Sequence, residues 1–353
     1  MSKKRIAVIP GDGIGVDVCE VGVEVLEAIC SKLNLDFQID NFPYSAEHYL
    51  KTGITLPDDE VENFRQNYDA IFLGALGDSR VPTNVHAKDI LLGLRFKLDL
   101  FVNFRPSKVY DENLCPLKGK TKDDINFVVC RENTEGIYVS AGASFKKGTP
   151  DEIALQESIN TRKGVERIIR YAFEYAKNNN LTKVCMSDKG NAMRFEGDLW
   201  MRTFKDVAAE YPEMEISHQF VDAIVMNLVR APEEFEVIVT CNLFGDIITD
   251  LAAQLQGGMG MAASGNLNPG KVSLFEPVHG SAPDIAGKGI ANPLAAVMTV
   301  QMMLDYLGFK EASLLAEKSV LEAISTKNVT KDLGGNLTTK EVGKFLVDFV
   351  KNN

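Results

Sequence analysis

The sequence lacks the long apolar runs, the excess of basic residues and the paired cysteines that mark several classes of protein. No segment of its 353 residues approaches the ~20 consecutive apolar residues of a transmembrane helix. The formal net charge of −11 argues against a nucleic-acid partner, because phosphate binding needs a basic surface. None of the six cysteines forms a CxxC pair, which argues against a zinc site and favours a reducing compartment. The start of the chain lacks the apolar stretch of a signal peptide, so we expect a cytoplasmic protein.

The composition is otherwise that of an ordinary globular protein, with 45% hydrophobic and 25% charged residues. At about 150 residues per domain, this length predicts roughly two domains. Short buried runs alternate with stretches of helical periodicity, which indicates an α/β fold with a mostly parallel sheet. The strand-like runs are residues 5–10, 37–41, 70–74, 126–131, 183–187 and 236–240, and the helix-like stretches are 17–33, 162–178, 293–306 and 339–350. Residues 140–151, rich in glycine, alanine, serine, lysine and proline, predict an exposed loop or arm.

The first strand-like run ends in Gly11-Asp-Gly-Ile-Gly15, which partly matches the glycine-rich turn of dinucleotide-binding domains. The spacing of the third glycine departs from that pattern and Pro10 precedes the turn, so the match is weak. A tight strand-to-helix turn without a ligand explains the same residues better.

Three arginines are candidates for binding an acidic ligand. Arg105 and Arg131 each follow a strand-like run, where α/β proteins place their ligands. Arg95 shares one face of a predicted helix with Lys88 and the Leu91–Leu92 pair. Three converging arginines would bind a carboxylate through paired hydrogen bonds. Taken singly, each arginine is better explained as a surface salt-bridge partner, and spacing alone does not decide whether they converge.

Two aspartates, Asp246 and Asp250, stand four residues apart where a strand-like run passes into a predicted helix. Their carboxylates share one helix face and repel each other, and Mg²⁺ or Mn²⁺ would relieve that repulsion. The alternative is that both acids complement the helix dipole. At another predicted strand end, Lys189 would act as a base if it were desolvated, although most lysines in such turns are simply solvated.

The segment from Phe275 to Asn292 holds His279 and Asp284 in a frame of glycine, serine, alanine and proline. Such small residues build a rigid loop that a nucleotide can approach closely, with free backbone donors. A generic surface loop rarely holds these two side chains in such a frame, so the segment indicates part of a nucleotide site.

In combination these segments are far more specific than any one alone. Their order and spacing resemble the isocitrate/isopropylmalate dehydrogenase family of β-decarboxylating dehydrogenases along nearly the whole chain. The matching pieces are GDGIG at 11–15, LRxxxDLxxNxRP at 94–106, RENTEGIY at 131–138, SDKxNA at 187–192, VDA at 221–223, NLFGDIITD at 242–250 and EPVHGSAPDIAGKGIANP at 276–293.

The resemblance implies roles for individual residues. The implied substrate contacts are Leu91, Leu92, Arg95, Arg105, Arg131 and Asp222, and the implied cofactor contacts are Ile14, His279, Gly280, Ser281, Ala282, Asp284, Ile285 and Asn292. Asp246 and Asp250 would bind Mg²⁺ or Mn²⁺ together with Asp222 of the partner subunit. Lys189 of the partner subunit would help to deprotonate the C2 hydroxyl, and Tyr138 would protonate the enolate after CO₂ leaves.

The resemblance also implies a fold and an assembly. The fold would be a two-domain α/β fold, distinct from a standard Rossmann domain, with mostly parallel sheets and helices on both faces. Residues 1–100 and 257–353 would form the cofactor-side domain, and residues 101–256 a central domain with the dimer interface and an arm near 140–151. The expected assembly is a homodimer with shared active sites that acts on a small 2-hydroxy acid, without a nucleic-acid or membrane partner.

NAD is the expected cofactor. NADP-specific relatives carry cationic and phenolic residues after the loop that corresponds to residues 279–283, whereas this chain has Asp284 and Ile285 there. A carboxylate would accept hydrogen bonds from ribose hydroxyls and would repel a 2′-phosphate.

The expected substrate is 3-isopropylmalate, an intermediate of leucine biosynthesis. The Leu91–Leu92 pair implies an apolar pocket, and Asp89 would repel the third carboxylate of isocitrate. RENTEGIY at 131–138 and the stretch 152–162 resemble instead the tartrate/D-malate branch, which is the alternative. A non-catalytic regulatory subunit is an alternative of another class, against which the intact catalytic and metal-ligand residues argue.

Overall fold

The computed structural model describes residues 3–353, and it confirms the α/β class. The strands are β1 Lys4–Ile9, β2 Phe37–Asn41, β3 Ala70–Leu73, β4 Val102–Lys108, β5 Asn126–Glu132, β6 Gly142–Phe145, β7 Ile153–Gln156, β8 Lys183–Asp188, β9 Glu215–Phe220, β10 Val237–Thr240, β11 Ala263–Leu267 and β12 Ser273–Pro277. The helices are α1 Ile14–Leu33, α2 Ala46–Thr52, α3 Asp58–Asn67, α4 Val85–Ala87, α5 Gly93–Lys97, α6 Arg162–Asn178, α7 Arg194–Ala208, α8 Val221–Arg230, α9 Asn242–Leu255, α10 Leu294–Tyr306, α11 Lys310–Ser325 and α12 Thr339–Asn352. None of the helices formed by residues 3–353 combines the length and the apolarity that a membrane span requires.

The chain divides into two compact units. The terminal unit contains the residues up to Leu100, Val109–Lys122 and Ala253–Asn353, and the central unit contains Phe101–Lys108 and Asp123–Ala252. The sequence analysis placed the domain boundaries after residues 100 and 256. In the structure, the segment 109–122 packs with the terminal unit, and the second boundary between the two units follows Ala252 and not residue 256.

In the terminal unit the strand order is β2-β1-β3-β12-β11. β1 runs parallel to β2 and β3, β12 runs parallel to β3, and β11 runs antiparallel to β12. All four residues of β3 are buried, which explains why its sequence reads as a continuous apolar run rather than an alternating one. Helix α10 packs on β11 and β12 and is apolar on nearly every face, as a helix inside a core must be.

In the central unit the strand order is β4-β5-β10-β8-β9, with β5, β10, β8 and β9 parallel and β4 antiparallel to β5. The carboxyl ends of the parallel strands meet at one edge, which is where α/β proteins place their reactive side chains. Arg131, Asp188 and Thr240 all lie at that edge. The exposed segment expected at 140–151 contains strand β6, which pairs with β7 in an exposed antiparallel hairpin.

The helix predicted around residues 88–95 is not a regular α-helix. Lys88–Leu92 forms a π-helical turn between α4 and α5, so the expected 3.6-residue periodicity is broken. Ile90 and Leu94 are fully buried in the hydrophobic core, whereas Lys88 is exposed and Arg95 is buried. The prediction of a regular helix over these residues is therefore wrong, while the shared face of Lys88, the leucine pair and Arg95 stays a prediction.

Candidate active site

A cluster of charged side chains in the central unit is centred on Asp246, on the second turn of α9. Strand β10 is short, β-branched and buried, and the chain passes from it into α9 within two residues. Asp250 follows Asp246 by one helical turn, as the sequence predicted. Partial burial and then the neighbouring charge of Asp246 raise the pKa of Asp250, while the guanidinium groups of Arg105 and Arg131 oppose that shift.

Arg131 is the penultimate residue of β5 and is 1% exposed. Its Nη1 donates to Asp246 Oδ1 at 2.5 Å, and its Nη2 and Nε donate to Asn242 Oδ1 at 2.7 and 3.2 Å. Gly245 makes room for this side chain, because a Cβ there would lie 2.5 Å from Arg131 Cγ. A buried charge needs such partners, so Asn242 and Asp246 together hold the guanidinium group in one orientation.

Arg105 reaches the same cluster from β4, the neighbour of β5. Its Nη1 donates to Thr249 Oγ1 at 2.6 Å and lies 3.8 Å from Asp246 Oδ1. Thr249 in turn donates to the backbone carbonyl of Gly245 at 2.8 Å. Two of the three predicted arginines therefore converge, although they stand 26 positions apart in the sequence, because adjacent antiparallel strands bring them together.

Tyr138 completes the cluster from the 3₁₀ turn Ile137–Val139. Its Oη donates to Asp246 Oδ2 at 2.8 Å, and its ring centroid lies 5.4 Å from the Arg131 guanidinium carbon. The loop that carries Tyr138 is held by Glu132, a buried carboxylate that accepts from the backbone N–H and the hydroxyl of Thr134. Burial raises the pKa of Glu132.

Lys189 and Asp222 form a second, separate group. Lys189 follows β8, Asp222 lies in the first turn of α8, and Lys189 Nζ donates to the Asp222 carboxylate at 2.7 Å. This hydrogen bond lowers the pKa of Asp222. Within residues 3–353, no three side chains drawn from histidine, cysteine, aspartate and glutamate come together as a metal site. Asp222 is thus not grouped with Asp246 and Asp250 in one chain.

In the terminal unit, Arg95 lies on α5 and is 5% exposed. Its Nη2 donates to Glu276 Oε1 at 3.1 Å, and its buried Nε has no hydrogen-bond partner among residues 3–353. Leu91 and Leu92, on the π-helical turn, are both half-buried, and Leu91 packs against the hydrophobic core. The sequence analysis did not anticipate Glu276 as the partner of Arg95, although Glu276 opens the matched segment at 276–293.

The predicted cofactor elements of the terminal unit meet through their backbones. The N–H of Ile14 donates to the carbonyl of Ser281 at 2.8 Å. Gly13 has a φ of 56°, and a Cβ there would lie 2.0 Å from the Ser281 carbonyl oxygen. Glycine is therefore required in this turn both by conformation and by the close approach of the two loops.

The loop that begins at His279 has one unpartnered polar atom that a ligand could contact. His279 Nε2 is buried without a hydrogen-bond partner among residues 3–353, and burial lowers the pKa of the ring. Ala282 has a φ of 38°, Asp284 is exposed and Ile285 is half-buried. Asn292 is already engaged, because its Nδ2 donates to Asp332 Oδ2 at 2.9 Å and its Oδ1 accepts from the backbone of α10.

The chain is similar to known proteins over nearly its whole length. Residues 5–346 match the isocitrate/isopropylmalate dehydrogenase family model. The chain belongs to this family. It is 45% identical to a 3-isopropylmalate dehydrogenase of Thermobifida fusca over 96% of this chain and 95% of the relative, and 46% identical to one of Streptomyces griseus over 97% and 96%. A solved isocitrate dehydrogenase of Methylococcus capsulatus has a TM-score of 0.89 at 36% identity and covers 99% of both chains.

The isopropylmalate dehydrogenases of this family use NAD and a divalent metal ion such as Mg²⁺ or Mn²⁺. The residues of this chain fit both groups. Burial raises the pKa of Asp250 and the neighbouring Asp246 carboxylate raises it further, and a cation bound by these oxygen ligands would offset both effects. The unpartnered Nε2 of His279 and the glycine-lined approach at Gly13 suit a cofactor that lies against the backbone.

Three residues of this dehydrogenase cluster escaped the sequence analysis as functional positions. Asn242 and Thr249 orient the two arginines, and Gly245 gives the Arg131 side chain its space. All three lie inside the quoted segment 242–250. Their spacing from the aspartates was the available signal, since positions three and four residues apart share a helix face.

Proposed function

We propose that this enzyme oxidises and decarboxylates 3-isopropylmalate to 2-oxoisocaproate in leucine biosynthesis, with NAD as the hydride acceptor. The convergence of Arg105, Arg131 and Tyr138 on Asp246 carries the proposal, because it combines carboxylate binding, a metal ligand and a proton donor in one place. The curated relatives named 3-isopropylmalate dehydrogenase, at 43–46% identity over nearly the whole chain, support the same substrate.

Arg105 and Arg131 bind the carboxylates of the substrate. A guanidinium group presents a planar pair of donors that matches a carboxylate, and the surrounding hydrogen bonds hold both groups ready before substrate arrives. Arg95, which is buried in the terminal unit, is the third arginine proposed to contact the substrate. The half-buried Leu91 and Leu92 contact the isopropyl group.

Asp246 and Asp250 would hold the divalent ion together with Asp222 of the partner subunit. When bound, the ion acts as a Lewis acid that stabilises negative charge on the substrate oxygens. The Lys189 side chain of the partner subunit, in its neutral amine form, would help to deprotonate the C2 hydroxyl by accepting its proton. Tyr138 holds a proton on Oη, and it delivers that proton to the carbon from which CO₂ departs.

Cofactor preference rests on Asp284, which is exposed just beyond the small-residue loop. At ~4 Å and an effective dielectric near 20, a carboxylate repels each phosphate charge by about 4 kcal/mol, and solvent at an exposed site reduces that figure. We expect kcat/KM with NADP to be at least tenfold below that with NAD. The variant Asp284→Asn should have a smaller ratio of kcat/KM with NAD to kcat/KM with NADP. An unchanged ratio in Asp284→Asn would assign the preference to another residue.

The first experiment compares NADH formation from 3-isopropylmalate, D-malate, tartrate, isocitrate and homoisocitrate with Mg²⁺ or Mn²⁺. The highest kcat/KM is expected for 3-isopropylmalate. Preference for D-malate or tartrate would replace this substrate by that of the branch which RENTEGIY at 131–138 resembles. No NADH from any of the five would point to a non-catalytic regulatory subunit.

Shared active sites in a homodimer are part of the proposal. Within residues 3–353, Asp222 pairs with Lys189 and does not join Asp246 and Asp250 in a group of metal-binding side chains, as would be expected if it served a partner's site. In the exposed β6–β7 hairpin, Phe145, Ile153 and Leu155 are each about half exposed, which suits an element that a second chain covers.

Subunit complementation tests the shared site. Tyr138→Phe and Lys189→Ala are expected to be inactive separately, and subunit exchange in a 1:1 mixture should restore about a quarter of wild-type activity, because each mixed dimer regains one intact site. No recovery in a mixture that demonstrably forms mixed dimers would mean that each chain supplies both residues to its own site. We also place the enzyme in the cytoplasm, in keeping with its six free thiols.

A further inference from the structure

A buried Asp12–His86 pair lies in the terminal unit, and the proposed mechanism uses neither residue. His86 is 0% exposed and Asp12 is 6% exposed. His86 Nε2 lies 2.8 Å from Asp12 Oδ2. Removing an imidazole and a carboxylate from water carries a desolvation cost, so the pair calls for a structural account beyond simple filling of the core.

The Asp12 carboxylate joins four segments of the terminal unit. Oδ1 accepts from the N–H of Ala46, the first residue of α2, at 2.7 Å, and Oδ2 accepts from the N–H of Gly77, beyond β3, at 2.9 Å. Asp12 itself stands in the glycine-rich turn after β1. Both oxygens of the Asp12 carboxylate accept hydrogen bonds from backbone N–H groups. We therefore assign the proton of the His86–Asp12 hydrogen bond to His86 Nε2, which donates to Oδ2. The start of α4 is thereby tied to the cofactor-side turn.

His86 lies between two stretches of unusual backbone conformation, one before it and one after it. Thr83 and Asn84 have φ values of 55° and 50°, in the left-handed region that non-glycine residues rarely occupy. Lys88–Leu92 then forms the π-helical turn that carries the leucine pair. Such local geometry persists only where the surrounding structure holds it in place.

The His86 ring is held on two sides. It stacks on Tyr49 of α2, with centroids 6.4 Å apart and an interplanar angle of 21°. Its Nδ1 is buried and has no hydrogen-bond partner among residues 3–353. An apolar side chain would fill this space without leaving a polar atom unsatisfied. The histidine therefore contributes through the Nε2–Asp12 bond, which an apolar residue cannot make.

We propose that His86, anchored by Asp12, is a positioning residue that sets the register of residues 85–97 and thereby selects the alkyl group of the substrate. The His86–Asp12 bond lies only five residues before Leu91, so a shift at His86 moves the leucine pair that faces the isopropyl group. The substrate part of this inference rests on the proposed function. D-Malate, which lacks the alkyl group, depends less on this register.

The test compares His86→Leu, which removes the donor, with His86→Gln, whose amide nitrogen can reach Asp12. His48→Leu is the matched control, because His48 lies on α2 and its ring packs edge-on against Tyr44. We expect His86→Leu to raise KM for 3-isopropylmalate about tenfold while kcat changes less than about threefold, and KM for D-malate to change less than about threefold. His86→Gln and His48→Leu should both stay within about threefold of wild type. An equal loss of kcat/KM on both substrates in His86→Leu and His86→Gln would overturn the selectivity role.

Amide hydrogen exchange tests the positioning role without any substrate. Residues 88–97 should exchange faster in His86→Leu than in wild type, with α6 unchanged as an internal reference. Unchanged exchange in residues 88–97 would overturn the inference. If His86→Leu does not fold, His86→Asn, whose shorter amide cannot reach Asp12, replaces it against His86→Gln. If wild type oxidises none of the malates, the proposed function fails, whereas the exchange result still decides on the anchor.

Discussion

The cluster around Asp246 and the loop around Ser281 are built on different principles. In the cluster, charged side chains bind one another, as Arg131 and Tyr138 do through the two oxygens of Asp246. In the loop, backbone meets backbone, as Ile14 N–H does with the Ser281 carbonyl, and Gly13 has no room for even one methyl group. The cluster therefore depends on the charge and reach of side chains, and the loop depends on the shape of the main chain.

This difference determines how each region responds to substitution. A change at the cluster removes donors or charge while the surrounding strands stay in place, so turnover should fall before stability does. A methyl group added to the loop must displace the backbone, so cofactor affinity and stability should fall together.

Removing the Tyr138 hydroxyl should have the largest effect. Tyr138→Phe takes away the proposed proton donor, and kcat should fall by about 10²–10⁴-fold while the melting temperature changes little. Tyr175→Phe is the control, because Tyr175 packs on Phe104 away from Asp246. Steady-state kinetics and circular dichroism measure both quantities. Wild-type turnover in Tyr138→Phe would remove this residue from the mechanism.

Replacing Arg131 by lysine, which has fewer hydrogen-bond donors, should have the second-largest effect. Lysine keeps the positive charge but lacks the planar fork of donors by which Arg131 binds Asn242, Asp246 and a substrate carboxylate at the same time. Arg131→Lys should therefore raise the substrate KM about 10- to 100-fold. Arg202→Lys, in an exposed pair with Asp198, should leave KM unchanged. Equal KM values in the two variants would mean that Arg131 is structural only.

Adding one methyl group at Gly13 tests the backbone region. Gly13→Ala must displace the Ser281 carbonyl, and the backbone conformation of this residue, with φ 56° and ψ −129°, adds about 1–3 kcal/mol of strain for a residue with a Cβ. We expect the NAD KM to rise about tenfold and the melting temperature to fall. Gly280→Ala, where a Cβ would meet open space, is the stability control and should not lower the melting temperature. A stability loss of the same size in both variants would contradict the close-approach argument.

The smallest effect concerns Asp40, where charge acts on stability alone. Hydrogen bonds from Gln38 and then Arg5 lower the pKa of Asp40 to about 2. A carboxyl group whose pKa is lower in the folded protein than in the unfolded chain stabilises the fold at pH values above the unfolded-state pKa of about 4. That contribution is lost as the pH falls from about 4 through about 2. Asp40→Asn should therefore lose less stability over this range than wild type, as denaturant midpoints would measure. Asp151→Asn, at a 79% exposed side chain, should match wild type, and identical acid sensitivity in all three proteins would exclude this role.

Much of the fold was predictable because its signals are local. The buried runs at 70–74 and 236–240 form β3 and β10, and the periodic stretches at 162–178 and 339–350 form α6 and α12. The prediction of a regular helix around 88–95 was wrong, because a π-helical turn has no clear sequence signature. For the site, the sequence pointed to the aspartate pair on one helix face, but the roles of Asn242 and Thr249 depend on contacts that spacing does not reveal.

The sequence by itself determined the element types, the order of the motifs and the family, since periodicity, small-residue turns and motif spacing depend on residues close together along the chain. Only the tertiary structure decided that Arg105 and Arg131 converge on Asp246, that Lys189 pairs with Asp222, and that Asp12 holds His86. These contacts join residues separated by 33 to more than 100 positions. They exist because strand pairing and core packing bring distant segments together, and no local pattern encodes that outcome.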